Sequence, residues 1–456
     1  MVVSRIANRN GRRYIEYNGK PYLMYGVQLR MDEAEELTPC SDWETNFSKA
    51  QELGFHSVMV PLRWRSFEPE EGCYAFRKLE NYIGWADKYD LDVQLLWFGS
   101  NVCGRQKSVP AYILDDVETY PKLADGIYID LSRTAILDRE KQALSQVMSW
   151  LYRNDTNHRT SMLQIENEPD YGSGWQNQYV QCLRYLDELG RLVKESDYSV
   201  VTRVNITASE NLKSNHVPED ILALNGIDMV GVDIYIKDTD FYDGWIEKLS
   251  TGDMTGNLAH IAEGGGQMEP LVRLIAHTFS HGAGYLIYEL RTVRKNDYDF
   301  GVFRNSTEKW EYRDGTALAQ YQWTAGEFIR ENDTKALIAF NKAIHSLAEQ
   351  IAVANKGEFR LLENAQAFWL DGCRGIWETT ETGSGNFAVL LCGADGAHYF
   401  FSPADKAVLR FEDTVTVSVG CISGGKWNAE TNRQLRFLET KQGVAYRLSR
   451  AMQQGG

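Results

Sequence analysis

"MLQIENEPDYG", residues 162–172, decides the fold. Apolar Met162, Leu163 and Ile165 lead into Glu166, Glu168 and Asp170, with Pro169 between the last two. A buried strand that finishes in carboxylates fits one architecture well. In a barrel of parallel strands, the C-terminal strand ends meet at a common mouth, where polar groups gather to do chemistry.

The chain on either side keeps the same rhythm. "RRYIEYNGKPYLMYGVQ" (12–28) predicts a hairpin at Asn18-Gly19 and then a first buried strand ending near Gly26-Val27. "HSVMVPL" precedes a helix over 76–89, "DVQLLWF" one over 134–153, and "SMLQIE" one over 175–196. "SVVTRV", "DMVGVDIYI", "LAHIAE" and "GYLIYEL" complete eight strands, each separated from the next by helical or loop sequence. Continuous apolar runs alternating with amphipathic helices are the mark of strands covered on both faces, and eight such units give a (β/α)8 barrel. A doubly wound open sheet would require a glycine-rich phosphate loop after an early strand. No GxGxxG or GxxxxGK[ST] occurs, and "EGGGQ" (263–267) is a glycine cluster only.

The helical spacing of "DTKALIAFNKAIHSLAEQIAVAN" (333–355) closes the barrel, so the catalytic unit is expected over residues 1–355. From 356 to 456 the rhythm changes to short β-rich segments such as "FAVLLCG", "HYFFS" and "TVTVSVG", which predict an accessory Ig-like β-sandwich.

Composition narrows the partner. The net charge is −15, with acidic residues dispersed, which argues against nucleic acid or anionic lipid. Aromatics make up 12% of the chain, enough to provide stacking platforms beyond the core. A neutral oligosaccharide or polysaccharide fits both features. The seven cysteines show no CxxC and no paired short spacing, so neither a zinc site nor a disulfide framework is indicated. No apolar run reaches the roughly 18 to 20 residues of a membrane span, and "MVVSRIANRNGRR" has no apolar signal core. The expectation is a cytoplasmic protein as given, a secreted one with its leader removed being the alternative.

Glu168 ends the fourth strand and Glu263 the seventh. Carboxylates from opposite sides of one barrel mouth can flank a glycosidic bond, one donating a proton while the other attacks the anomeric carbon. Capping a helix or pairing with a lysine at the surface is the expected role for most glutamates in the chain; these two stand where barrel sites form. The connection from Val102 to about Ser132 exceeds the usual length and is expected to shape the substrate cleft. Trp64, Trp97, Tyr171, Trp175 and Trp310 are candidate platforms for sugar faces, Trp97 and Trp175 foremost because they lie nearest the ends of strands three and four. Core packing is the alternative for each.

With these residues in view, the sequence resembles clan A of the retaining glycoside hydrolases, most closely the β-galactosidase families 35 and 42, whose fourth strands carry patterns like QxENEYG. The similarity runs through "NGKPYLMYGVQLR", "VPLRWRSFEPEEGCYAF", "LLWFGSN" and "VGVDIYI". The resemblance implies that Glu168 is the acid/base and Glu263 the nucleophile. It likewise implies that Asn167 binds the sugar 2-hydroxyl, that Tyr235 hydrogen-bonds the nucleophile, and that no cofactor is needed. Glu166 then supports polar neighbours, and Asp170 orients a loop or caps the next helix. Two positions depart from the pattern: Met59 stands where many members carry arginine, and Tyr288, followed by Glu289, stands where tryptophan is common. The compact two-domain build is similar to that of the family 158 β-1,3-glucanases, which makes an endo-acting glucanase the second expectation. A catalytically silent carbohydrate-binding protein is the third.

Overall fold

A computed structural model describes the chain apart from residues 10, 30–39, 104–105, 172, 210–215, 237, 266–270, 292–300, 303–309, 314–315, 320–330, 383–384, 394–395 and 451–456. Eight parallel strands close into a barrel: Tyr25–Gln28, Ser57–Arg63, Asp92–Val102, Thr160–Asn167, Val201–Thr207, Met229–Ile234, His260–Gly265 and Gly284–Tyr288. Each pairs with the next, and the eighth pairs with the first. Strand two is buried at every position, as is strand four, because helices cover the outside and side chains fill the inside.

Alternation along the strands sorts the side chains. On strand three, Leu96 and Phe98 turn inward to meet Met59 of strand two and Leu286 of strand eight, while Val93, Leu95 and Trp97 face the outer helices. The helix Thr134–Asn154 answers with Ile136, Leu137, Ala143, Leu144, Val147 and Leu151 on one buried stripe. The helix Arg77–Tyr89 stops at Asp90, whose left-handed backbone turns its N–H back to the Ala86 carbonyl. The helix expected over 175–196 is two helices, Ser173–Asn177 and Tyr179–Glu195. Gln178 breaks it; its side chain accepts from the Leu131 N–H at 2.7 Å and donates to the Ile129 carbonyl at 2.9 Å, fastening the long third connection.

The hairpin forms at Asn18-Gly19, both residues with positive φ as a two-residue primed turn requires. One strand beyond the expected hairpin, Ser4–Arg9, pairs with Arg12–Tyr17. This small sheet closes the N-terminal end of the barrel, where Tyr17 donates to Asp92 at 3.0 Å and Ser4 Oγ to the Ser161 carbonyl at 2.6 Å.

After the helix Glu331–Val353, eight antiparallel strands from Phe359 to Arg450 form the C-terminal β-domain. Phe368, Leu370, Trp377, Leu390, Phe400, Leu409 and Leu448 fill its own core as a sandwich. Its other face joins the barrel: Phe340 packs against Phe387 and Phe401, and Phe279 against Phe359. Among the described residues, no helix is long and apolar enough to cross a membrane.

Candidate active site

The crowded carboxylates of strand four part ways because the backbone bends between them. Glu166 and Glu168 both have positive φ, 60° and 44°, in a region that non-glycine residues adopt at a cost of about 1 to 2 kcal/mol each. Side-chain bonds hold the bend. Glu166 accepts from the Gly99 and Asn101 N–H groups at 3.1 Å each, and its own carbonyl accepts from Gln164 Nε2 at 3.1 Å.

Glu166 meets a second buried acid, Glu140, from the helix Thr134–Asn154. Gly99 lets them approach, since a Cβ there would lie 1.8 Å from Glu140 Oε1. Burial, followed by the charge of Glu140, pushes Glu166 well above the usual carboxylate range. Burial also raises Glu140 to about 7, so the pair holds a proton at neutral pH. Asp170 points elsewhere, accepting from the Thr207 N–H at 3.1 Å and the Thr207 hydroxyl at 2.8 Å. It therefore orients the loop by tying the ends of strands four and five, and burial lifts it to about 6.

Glu168, half-buried, is left facing the mouth. The Cys103 thiol donates to its Oε2 at 3.3 Å, and its backbone N–H donates to Asn205 Oδ1 at 3.0 Å. Burial and the Glu168 charge raise the Cys103 thiol, which keeps it protonated as a donor. Asn205 uses its whole amide: Oδ1 also accepts from Gln164 Nε2 at 2.8 Å, while Nδ2 donates to Asn167 Oδ1 at 3.1 Å and Asp233 Oδ2 at 2.7 Å. With its Oδ1 so engaged, Asn167 turns Nδ2 toward the Cys103 sulfur, 3.5 Å away.

Across the barrel, Glu263 lies beside Asp233 in the pairing of strands six and seven. The Tyr235 hydroxyl donates to Glu263, and Tyr288 packs edge-on against the Tyr235 ring at 5.7 Å. Burial pushes the Tyr235 hydroxyl well up, with Glu263, Asp233 and Glu168 adding to it, so the phenol stays neutral. Both expected catalytic acids and the tyrosine thus act on one another's charge.

Beneath them lies a polar column that the sequence reading missed. Arg203, fully buried, donates through Nε and Nη2 to Gln164 Oε1 at 2.9 and 2.6 Å, and Nη1 reaches Gln94 Oε1 and His260 Nδ1. Its Nη2 lies 3.3 Å from Met59 Sδ. Strand five thus brings a buried guanidinium against Met59 of strand two. Burial lowers Arg203 to about 10 against the pull of Asp233 and Glu263, leaving it charged at neutral pH. Burial and then Arg203 lower His260, which stays neutral and accepts. The alternating polar pair in "TRVNIT" was the available signal.

Two expected platforms are corrected. Trp97 is 0% exposed and donates to Glu140 Oε1 at 2.9 Å; Trp64, equally buried, donates to Glu68 Oε2 at 2.9 Å. Neither can present a face to a sugar, because each ring points into the helical layer. Tyr171 is 53% exposed beside the strand-four end. Trp175 lies on the helix Ser173–Asn177 and Trp310 on the strand Trp310–Arg313, with both side chains outside the described residues. The described side chains that could share a metal ion, Asp243, His277 and His281, belong to the outer helices and their turns.

Residues 182–360 match a family described as a domain of unknown function, DUF4978. No curated protein sequence matches the chain. Among solved structures, a β-galactosidase from Rahnella sp. R3 shares 13% identity at a TM-score of 0.53, covering 75% of this chain and 58% of its own. A family 39 glycoside hydrolase from Bacteroides cellulosilyticus WH2 shares 12% identity at 0.47, covering 96% and 85%. The exo-β-1,4-mannosidase Op5Man5 from Opitutaceae bacterium strain TAV5 shares 14% at 0.47, covering 60% of this chain, which spans about half the mannosidase's length. The likeness to the β-galactosidase and the closed ring of eight parallel strands establish the barrel fold for this chain.

Proposed function

We propose that the chain is a retaining β-glycoside hydrolase. The observation that carries the reading is Tyr235 donating to Glu263 on one side of the mouth while Glu168, fixed through Asn205, faces it from strand four. Glu263, kept ionised by its donor, attacks the anomeric carbon as Glu168 protonates the departing oxygen. The glycosyl–Glu263 ester is then released by water that Glu168, now a carboxylate, deprotonates. Asn167, its Oδ1 held by Asn205, supplies the amide Nδ2 as a donor to a sugar hydroxyl. No step calls for a metal or organic cofactor.

The substrate class is a β-linked galactoside or glucoside cleaved at a terminal sugar. A groove that grips a chain by stacking on successive sugar faces needs a series of exposed aromatics, and Trp64 and Trp97 are core. An endo-β-1,3-glucanase is the second reading, supported by exposed Tyr171 next to the strand-four acids.

Hydrolysis of aryl β-glycosides and β-glucans by the wild type, Glu168→Gln and Glu263→Ala tests both readings. Glu168→Gln is expected to lose natural substrates while sparing activated aryl glycosides, which need little protonation, and Glu263→Ala to lose both. Monosaccharide as the sole product supports the terminal-sugar reading, and mixed oligosaccharides from a β-1,3-glucan support the second. Wild-type activity in either variant on a natural substrate refutes the mechanism. A wild type that binds sugars and cleaves none is a silent binder.

A further inference from the structure

We propose that Asp233 is a carboxylic acid at working pH and donates its O–H to Glu168, making it a positioning residue for the acid/base. The proposal rests on the glycosidase reading for its role, and on the local geometry for the proton itself.

Asp233 ends strand six and is 3% exposed. Its Oδ2 accepts from Asn205 Nδ2 at 2.7 Å. No N–H or O–H donor among the described residues reaches its Oδ1. The Glu168 carboxyl is a hydrogen-bonding neighbour of the Asp233 carboxyl. Two ionised carboxylates only accept, and they repel. A proton between them turns the clash into an O–H···O⁻ bond.

The charges around Asp233 place that proton on it. Glu263 of strand seven is a negative neighbour, Glu168 of strand four becomes one once it has given its proton to the leaving oxygen, and Tyr235 donates to Glu263 rather than to Asp233. Arg203 of strand five is a cation whose charge opposes the shift, and its guanidinium is committed to Gln164, Gln94 and His260. Burial, then Glu263 and Glu168, raise Asp233 well above the usual range. Glu168 must release its proton to the leaving oxygen and then serve as a base. A neutral Asp233 stabilises the carboxylate so formed, as a preorganised donor stabilises charge that develops during reaction.

The test compares Asp233→Asn with Asp233→Ala on an unactivated β-glycoside, beside infrared spectra of the free proteins at neutral pH. Asparagine can accept from Asn205 and donate to Glu168, so kcat is expected within about tenfold of wild type. Alanine removes the donor, and kcat should fall on the order of 10²-fold with KM little changed, since Asp233 is buried. The wild type should show a carboxylic-acid C=O band that is missing from Asp233→Asn. Absence of that band, or Asp233→Asn as impaired as Asp233→Ala, overturns the proposal. So do two fully active variants. The spectra need no substrate and no alanine variant, so they decide the protonation even if the glycosidase reading fails or the alanine chain does not fold.

A different part of the molecule carries a second proposal independently: we infer that Asp243, His277 and His281 form a zinc site. Asp243 stands on the helix Thr239–Lys248, His277 on Leu271–Ser280, and His281 just beyond its end, at i+4 from His277. Both Nε2 atoms face Asp243 Oδ1, at 2.8 and 3.7 Å, and all three ligand atoms lie within 4.8 Å of one another. Zinc bonds of about 2.0 to 2.1 Å at tetrahedral angles separate ligand atoms by roughly 3.3 Å, between those two spacings. His281 Nδ1 lies 3.0 Å from the His277 carbonyl; donation there leaves the Nε2 lone pair for a metal. Calorimetric titration of chelator-treated protein with zinc should show one saturable site and a raised melting temperature, both lost in a His277→Ala/His281→Ala double variant. No binding, or equal binding by the double variant, leaves a plain ion pair and overturns the proposal.

Discussion

The side-chain oxygen of Asn205 accepts the backbone N–H of Glu168 at 3.0 Å, so strand five positions an acid that strand four supplies. Replacing Asn205 with alanine leaves Asn167, Asp233 and Gln164 each short of a partner, at about 1 to 3 kcal/mol per buried group. Asn205→Ala is expected to lose about 3 kcal/mol in urea unfolding and more than tenfold in kcat. Asn205→Asp should be worse on both counts, because it sets a charge beside Asp233. An alanine variant with unaltered kcat would show that Glu168 is positioned without Asn205.

Stability should fall as pH rises from about 4 to 7. Burial raises Glu140 and Asp92 to about 7 and Asp170 to about 6. The unfolded chain, with ordinary carboxylates, gives up its protons first. The folded state therefore binds more protons across that window, and these groups contribute fully below about pH 4 and lose their contribution as pH passes their folded values. For Glu140 alone this is on the order of 3 kcal/mol. Urea unfolding at pH 4.5 and 7.5 should show the decline, and Glu140→Gln, which mimics the protonated acid, should flatten it. A variant with the wild-type slope would remove Glu140 from the account.

Trp97 separates a core role from a substrate platform. Trp97→Phe keeps an aromatic face but loses the N–H bond to Glu140, whose other oxygen, Oε2, already has no hydrogen-bonding partner among the described residues. The melting temperature should drop by several degrees while KM stays unchanged. A raised KM at unchanged melting temperature would restore the ring to the binding cleft.

The barrel was legible because strands buried on both faces read as apolar runs, and Glu168 and Glu263 because carboxylates at the ends of such runs stand out. Which face a strand residue takes was less visible. Trp97 lies near the strand end, as expected, yet it is an odd number of residues from inward Gln94 and so turns outward. Arg203 and Asn205 escaped notice because a polar residue within a strand looks the same whether it meets water or a buried column. Partners such as Cys103 for Glu168 or Glu140 for Glu166 arrive from other elements, and only the closed barrel brings them together.

The C-terminal domain is expected to stabilise the barrel and take no part in the chemistry. Phe340, on the helix Glu331–Val353, is fully buried between Phe279 of the barrel layer and Phe387 and Phe401 of the β-domain. An ion pair between Arg273 and Glu363 adds an exposed contact across the same seam, worth little beside the rings. Phe340→Ala should cost about 3 to 5 kcal/mol, the usual range for emptying a buried phenylalanine site. At temperatures where the variant stays folded, kcat should match wild type, since none of these rings touches Glu168 or Glu263. A chain ending at Asn355 would uncover Phe279 and Phe340 together and should melt well below wild type while binding a hydrophobic dye. Full activity with an unchanged melting temperature would show that the barrel needs nothing from the domain, and that the shared aromatic layer is only contact.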